Sequence, residues 1–413
     1  MTSSDGAALL TTEAATPIVT AMAHGLGGTL KSWSLDHVDV DPGRATTATY
    51  RVDLISGGRV FHQTVGCTVR ATGPSPSDRR AHLLMADSHP VACWVYPEDP
   101  DLPGLRRAAQ ANAMAALLRE SGIVPLATGA DLAIDLVSYR PRRRAVLRVR
   151  LKDRSATFYV KAFRQSQFDA ALRRHRILTD GGVPGPKILA ATEDRLLVIA
   201  ETPGIALARA VFAPTAPITA QQIVDLLDAM PPEVAELGRR PPWASSVRHY
   251  ATIVQTALPA LQSRLDRLCD RIEDGLAGLP LGDEPTHGDF YEAQVFVQQG
   301  QITGLIDVDT IGPGRRADDL ACLVAHLNCI QRMNPAQTRQ IARLLHHWLP
   351  VFDARVDPVE LRLRAAAVVI SLATGPYRGQ ESQWPRETEK MVAKAEDLVA
   401  QVDRSSAPRR ALV

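Results

Sequence analysis

The residues best suited to chemistry lie between His287 and Leu320. The run Thr286-His-Gly-Asp-Phe-Tyr-Glu-Ala-Gln294 precedes a strand-like stretch, Val295–Val297. A turn at Gly300 leads to a second stretch, Ile302–Ile306, which ends in Asp307-Val-Asp309, and Asp318-Asp319-Leu320 then opens a helical pattern. A strand-turn-strand hairpin holds the groups at its two ends in fixed register. One carboxylate in such a place can orient a hydroxyl or amine and take its proton. A second carboxylate, with an amide oxygen, can hold a hard dication against phosphates. Phosphoryl transfer needs this combination. Read more plainly, Asp289 is a turn or cap residue, as most loop aspartates are. His287 reads as structural, Asp319 as a clamp or N-cap of the next helix, and Asp309 as either a supporting group or a solvated acid. No His-rich ligand set accompanies the carboxylates, which leaves a metal-dependent hydrolase with little support.

These motifs resemble the catalytic and metal-binding loops of the aminoglycoside-phosphotransferase-like kinases. That family shows His-Gly-Asp, Asn five residues after the Asp, Ile-Asp, then Asp-Leu near a helix start. The matches here are His287-Gly288-Asp289, Gln294, Ile306-Asp307 and Asp319-Leu320. The resemblance implies that Asp289 is the catalytic base, that Asp307 is the principal Mg2+ ligand, and that ATP is the phosphate donor. Gln294 stands where most of the family has Asn. It offers the same amide oxygen on a longer arm, and maltokinase-like members carry Gln there, which tilts the acceptor toward sugars.

Upstream, Phe158-Tyr-Val-Lys161 resembles the strand with the ATP-binding lysine. Leu196-Leu-Val-Ile-Ala-Glu-Thr-Pro-Gly204 resembles the interlobe hinge, so Ala200, Glu201 and Thr202 are expected to receive adenine through their backbone. There is no glycine-rich loop. The turn Tyr139–Arg144 takes its place, and its Arg142, Arg143 and Arg144, which otherwise read as a solvated face, have charge to lend to phosphates, Arg143 above all. The glutamate that kinases set against the lysine is missing: Arg174 occupies its aligned position, with Asp169 as a substitute.

Around these motifs the elements fall into two styles. Ala48–Leu54, Val91–Tyr96, Ala145–Leu151, Thr157–Phe163, Ile188–Ala190 and Leu196–Ala200 read as short strands, the first rich in Thr, Tyr and Val and the third alternating. Leu105–Leu118 and Gln165–Leu178 have helical spacing. After residue 203 the chain is mostly helical, with an N-cap at Thr219 and one long amphipathic pattern from Val247 to Leu276 that Pro259 should kink. A β-rich half before an α-rich half predicts an α+β, bilobal protein-kinase-like fold. The expected divisions are an α/β cap-like unit over 1–130, a β-rich N-lobe over 131–202, a helical C-lobe over 203–400 and a flexible tail over 401–413. A weak internal parallel relates Pro42-Gly43-Arg44 to Pro141-Arg142-Arg143, and Ala92–Tyr96 to Tyr159–Phe163. If 1–130 is a degenerate copy of the N-lobe, this alignment sets Trp94 in the place of Lys161.

The bulk properties fit an enzyme of small molecules. The 413 residues carry a net charge of +2 and no basic block that would read as a nucleic-acid patch. Five scattered cysteines, none in a CxxC pair, argue for a reducing, cytoplasmic setting. Neither a signal peptide nor a membrane span is expected. The helical half lacks the dense acidic cluster that a polycationic aminoglycoside needs. The expected activity is ATP- and Mg2+-dependent phosphorylation of a hydroxyl on a sugar, amino sugar or aminoglycoside-like molecule. The alternative is a degenerate kinase-like protein that binds without turnover. Tyr377, Arg378, Glu381 and Trp384 read either as acceptor-lining or as an ordinary surface loop.

Overall fold

The computed structural model describes residues 5–213 and 217–406. The chain divides into two compact units. One comprises the chain up to Leu172 with Lys187–Glu201 and Tyr377–Ser382, and the other comprises Arg173–Pro186, Thr202–Pro376 and the chain from Gln383.

Two five-stranded antiparallel sheets build the first unit. The first holds β1 (Thr29–Asp41), β2 (Ala45–Ser56), β3 (Arg59–Arg70), β4 (His82–Ala86) and β5 (His89–Val95) in the order β1-β2-β3-β5-β4. Alternating Ala48, Tyr50, Val52 and Val65, Cys67, Val69 turn inward to pack on helices α1 (Ala7–Thr11) and α2 (Thr16–Gly25). Helices α3 (Leu105–Ala109) and α4 (Ala111–Glu120) follow, broken at Gln110, where the backbone is extended. The single helix expected over Leu105–Leu118 is therefore two.

The second sheet holds β6 (Leu132–Arg140), β7 (Arg144–Leu151), β8 (Thr157–Phe163), β9 (Ile188–Ala191) and β10 (Leu196–Ala200) in the order β6-β7-β8-β10-β9. Leu147, Val149, Val160, Ala162 and Val198 pack with α3 and α4. Phe163, Leu197 and Ile199 on its other face pack against Phe168 and Ala171 of α5 (Gln165–Asp180).

The two sheets thus share one strand order, and their registers can be matched. Ala45 and Arg144 open the second strands; Ala45 pairs with Arg70, and Arg144 with Phe163. Counting back along the third strands, Lys161 corresponds to Thr68, not to Trp94. Their partners on the fifth strands are Leu197 and Ala92. Trp94 lies on β5, opposite Gly66, where a Cβ would meet the indole at 2.2 Å. The hairpin half of the sequence parallel agrees with the registers and the Trp94 half does not. A short aromatic-bearing run on a third strand and one on a fifth look alike in sequence, because strand order is set by tertiary pairing.

The second unit is mostly helical: α6 (Leu207–Ala210), α7 (Ala220–Asp228), α8 (Val247–Ala257), α9 (Gln262–Leu276), α10 (Arg316–Cys329), α11 (Pro335–Arg355), α12 (Pro358–Leu372), α13 (Gly375–Arg378, whose last two residues belong to the first unit) and α14 (Trp384–Ser406). Thr219 caps α7 by accepting from Gln222 N. Pro259 does more than kink the Val247–Leu276 pattern: α8 ends at Ala257 and α9 begins at Gln262, with a 3-10 turn between them. Pro lacks the N–H that would continue the ladder. Helix α9 sets Leu265, Leu268, Cys269 and Ile272 inward at helical spacing, and α10 and α12 are buried nearly all round. Three short strands, β11 (Ile205–Ala206), β13 (Val295–Gln298) and β14 (Gln301–Leu305), form one sheet, and β12 (Glu284–Thr286) pairs with β15 (Gly312–Gly314). Helix α14 continues through Ser406, so the start of the expected tail is helical and the rest lies outside the described residues. Among the described residues no helix is long and apolar enough to cross a membrane.

Candidate active site

In the second unit the loop between β12 and β13 is held from beneath. Asp319, fully buried at the start of α10, accepts the backbone N–H of His287 and of Gly288, both at 2.8 Å. Burial raises its pKa, and Arg316 works against that shift. The His287 ring is buried and its Nε2 donates to Ile306 O at 3.1 Å. Thr310 Oγ1 donates to His287 O at 2.8 Å. Gly288 takes φ 78°, and a Cβ there would meet Thr310 O at 2.7 Å, so this step of the loop requires glycine. Asp289 follows immediately, its Oδ1 3.9 Å from the Cys322 thiol. His287 and Asp319 are therefore structural, as their sequence setting implies.

The β13–β14 hairpin brings Gln294 to Asp307. The Ile306 N–H donates to Gln294 O at 2.9 Å, and the Gln294 amide Nε2 is 3.5 Å from Asp307 Oδ2. Asp307 has left-handed backbone, φ 57° and ψ 43°, a conformation that few residues other than Gly, Asn and Asp accept. One carboxylate and one amide form a hard-oxygen donor pair of the kind Mg2+ takes. The pair fits the ion if the amide turns to present Oε1, a rotation that leaves the side chain's shape unchanged. Asp309 is no solvated acid: its side chain is 11% exposed and meets His175.

The residues expected on the nucleotide side fall in the first unit, apart from Thr202. Lys161 sits on the central strand of its sheet, between Val146 and Leu197, and is 5% exposed. Strand β8 is thus not an edge strand, and Lys161 is not a surface lysine. Ala200 ends β10, its N–H donating to Lys187 O at 2.9 Å, and Glu201 follows, exposed. Thr202 belongs to the second unit, where it is buried against Gly304.

The arginine run splits by role. Arg142 is 2% exposed, ion-paired to Asp78 at 2.5 Å and to Asp101 at 2.9 Å, with its guanidinium 5.4 Å from the Trp94 ring centre. Its N–H donates to Asp99 Oδ2 at 2.7 Å, and so does the Tyr139 hydroxyl, which receives the Trp94 indole N–H. Arg142 is thus occupied by the first sheet and its following loop and has no charge to lend to a phosphate. Arg143 is half-exposed and pairs with Asp39 at 3.0 Å. Asp39 also pairs with Arg378, and Tyr377 bonds to Thr11, so this segment is tied to the first sheet. Asp169 is 84% exposed beside Arg195 and is not a buried counter-ion for a lysine. Arg142→Ala takes the ion-pair partner from Asp101 and leaves buried Asp78 only the longer pair with Arg70 at 3.8 Å, and it is expected to cost about 3–5 kcal/mol. Denaturant unfolding measures this, and a loss under about 1 kcal/mol would contradict the buried-pair account.

A family model described as the phosphotransferase enzyme family, APH, matches residues 137–359, more than half of the chain. The chain belongs to this family. The protein is a phosphotransferase with a kinase-like α+β fold. Among solved structures, a thermostable mutant of aminoglycoside phosphotransferase APH(4)-Ia is 14% identical, with TM-score 0.47 over 71% of this chain and 99% of that one. A choline/ethanolamine kinase family protein from Mesorhizobium loti is 15% identical, with TM-score 0.48 over 70% and 96%. Choline kinase LicA from Streptococcus pneumoniae is 12% identical, with TM-score 0.47 over 70% and 99%. No curated protein matches the chain.

Sequence reasoning missed several groups that this phosphotransferase assembles around Asp289. Cys322 and His326, one turn apart on α10, bring Sγ and a ring nitrogen within 4.8 Å of an Asp289 oxygen. The His326 ring stacks on Tyr291 at 4.0 Å. Glu292 is buried, its Oε2 without a hydrogen-bond partner, and burial pushes its carboxyl up to about 7. The i, i+4 spacing of Cys322 and His326 was legible, but their target lies 33 residues upstream. Burial lowers His326 to about 4. The unfolded chain therefore binds a proton at this residue more readily between about pH 6.5 and 4, so the His326 contribution to stability is full above that window and falls as pH drops through it, by up to about 3 kcal/mol; Glu292, raised by burial, acts with the opposite sign. His326→Gln is expected to flatten this slope in denaturant titrations at several pH values. Superimposable slopes for both proteins would show that His326 is not buried neutral.

Proposed function

We propose that this phosphotransferase moves the γ-phosphate of ATP to a hydroxyl of a small polyol, a sugar or amino sugar in preference to a polycationic aminoglycoside. The observation that most supports it is the meeting of the Gln294 amide, five residues after Asp289, with the Asp307 carboxylate at the base of the β13–β14 hairpin. In this reading Asp289 accepts the proton of the attacking hydroxyl, and Asp307 and Gln294 would hold Mg2+. Bound there, Mg2+ supplies positive charge to the phosphate oxygens. Lys161 pairs with phosphates, Arg143 lends charge at the β6–β7 turn, and the backbone at Ala200, Glu201 and Thr202 receives adenine. Residues 1–130 act as a cap that fixes that turn through Arg142, with 131–202 as the nucleotide lobe and 203–400 as the catalytic one. The preference for a neutral acceptor is supported by the surroundings of Asp289: a buried thiol, a neutral His326 and a Glu292 carboxyl shifted toward its protonated form. The test is ATP consumption over a panel of sugars, amino sugars and aminoglycosides, where neutral polyols are expected to outrank polycations.

Gln294 gives a sharper test. Gln294→Asn keeps the ligand atom on a shorter arm and is expected to retain partial activity. Gln294→Leu keeps the bulk without the oxygen, and it is expected to be far less active and to need more Mg2+. A Mg2+ titration in which Leu outperforms Asn would make Gln294 a spacer and not a ligand.

A further inference from the structure

The position that kinases give to a glutamate is held here by Arg174, and the structure shows what this residue and the next one do. Arg174 Nε donates to Ile311 O at 3.0 Å, and His175 Nε2 lies 3.3 Å from Asp309 Oδ1. The His175 side chain is 2% exposed. Asp309 also acts on Arg174, opposing the burial that lowers its pKa. Both contacts fall on the segment directly after Asp307. The same segment is gripped again from the catalytic loop, where Thr310 Oγ1 donates to His287 O at 2.8 Å. Three successive residues, Asp309, Thr310 and Ile311, are therefore fastened. The residue they follow, Asp307, has left-handed backbone, a sparsely populated conformation of the kind that surrounding structure holds in place at functional sites.

We propose that Arg174 and His175 are positioning residues that hold the Asp307 carboxylate where a metal ion would take it. This rests on reading Asp307 as a Mg2+ ligand. Helix α5 grips the metal loop itself, through a buried imidazole–carboxylate bond and a guanidinium–carbonyl bond. Gln at 175 could still donate to Asp309 through its amide, whereas Ala could not.

Calorimetry of nucleotide binding with and without Mg2+ tests the assignment on the wild-type chain, His175→Ala, His175→Gln and Arg174→Met. Groups that orient metal ligands typically contribute ten- to a hundredfold to metal affinity. His175→Ala is therefore expected to weaken Mg2+-dependent nucleotide binding about tenfold or more, with Mg2+-free binding unchanged. His175→Gln should recover most of the loss. Arg174→Met keeps the aliphatic bulk at a half-buried site, and it is expected to move the Mg2+ dependence the same way, which covers a failure of His175→Ala to fold. Equal loss with and without Mg2+, or an unchanged Mg2+ dependence in a folded variant, would overturn the proposal and leave these residues a packing role. A wild-type chain whose nucleotide binding ignores Mg2+ would instead overturn the reading of Asp307, and this proposal with it.

Discussion

Asp289→Asn is expected to lower kcat by at least about a hundredfold, the usual scale of general-base catalysis, while nucleotide affinity stays as it was. The substitution removes the proton acceptor and almost no volume. The loop around it is fixed by other groups: the backbone N–H of His287 and Gly288 by the Asp319 carboxylate, and the His287 carbonyl by the Thr310 hydroxyl. Stability should therefore move by less than about 1 kcal/mol. Cys322, whose thiol lies 3.9 Å from Asp289, keeps an oxygen neighbour in the variant. Steady-state kinetics beside a denaturation curve checks both halves. A folded variant with more than about a tenth of wild-type kcat would remove Asp289 from the role of base.

Asp307→Ala is expected to abolish the Mg2+-dependent part of nucleotide affinity, a loss of well over about tenfold, since even groups that only support a metal ligand act on that scale. The Ala variant changes two things, because Ala tolerates the left-handed backbone of residue 307 less well than Asp does. Asp307→Asn separates them. Asn accepts that conformation and keeps the shape, but it replaces a charged ligand by a neutral one. If the charge matters, both variants lose Mg2+ dependence in calorimetry. If only the turn matters, Asn behaves as wild type, and Asp307 is then a conformational residue.

How much of this was legible in the sequence depended on how local the cause was. The strand Thr157–Phe163 has the ends its composition implies, because β-branched and aromatic residues sit between clear breakers. The cap at Thr219 and the hairpin after Gln294 are likewise local chemistry. Pro259 was visible, but the size of its effect was not, since packing decides whether a helix bends or breaks. The first sheet was seen as two strands out of five. Its long β1 carries Asp36, His37, Asp39 and Asp41, which mask the alternation. The order shared by the two sheets, and with it the match of Lys161 to Thr68, appears only in the pairing.

Within the site, the contiguous motifs from His287 to Leu320 marked Asp289, Gln294 and Asp307. Long-range partners stayed hidden. Nothing near Arg142 announces Asp78, 64 positions upstream, and nothing near His175 announces Asp309. A buried ion pair needs only two side chains brought together by the fold, and sequence spacing carries no record of that. In sequence, Arg142 is one of three arginines with charge to offer a phosphate or the solvent; in the fold its charge is already matched.

Phosphoryl transfer to a neutral polyol is tested by acceptor-dependent ADP formation by the wild-type chain with Mg2+-ATP, measured over neutral sugars, amino sugars and aminoglycosides, with Asp289→Asn as the blank. At least one neutral polyol is expected to raise ADP formation well above the Asp289→Asn level, chelating Mg2+ to stop it, and the product to be a phosphate ester of that polyol. Tight Mg2+-dependent nucleotide binding, with ADP formation at the Asp289→Asn level for every acceptor and for water, would contradict it and favour a kinase-like protein that binds without turnover.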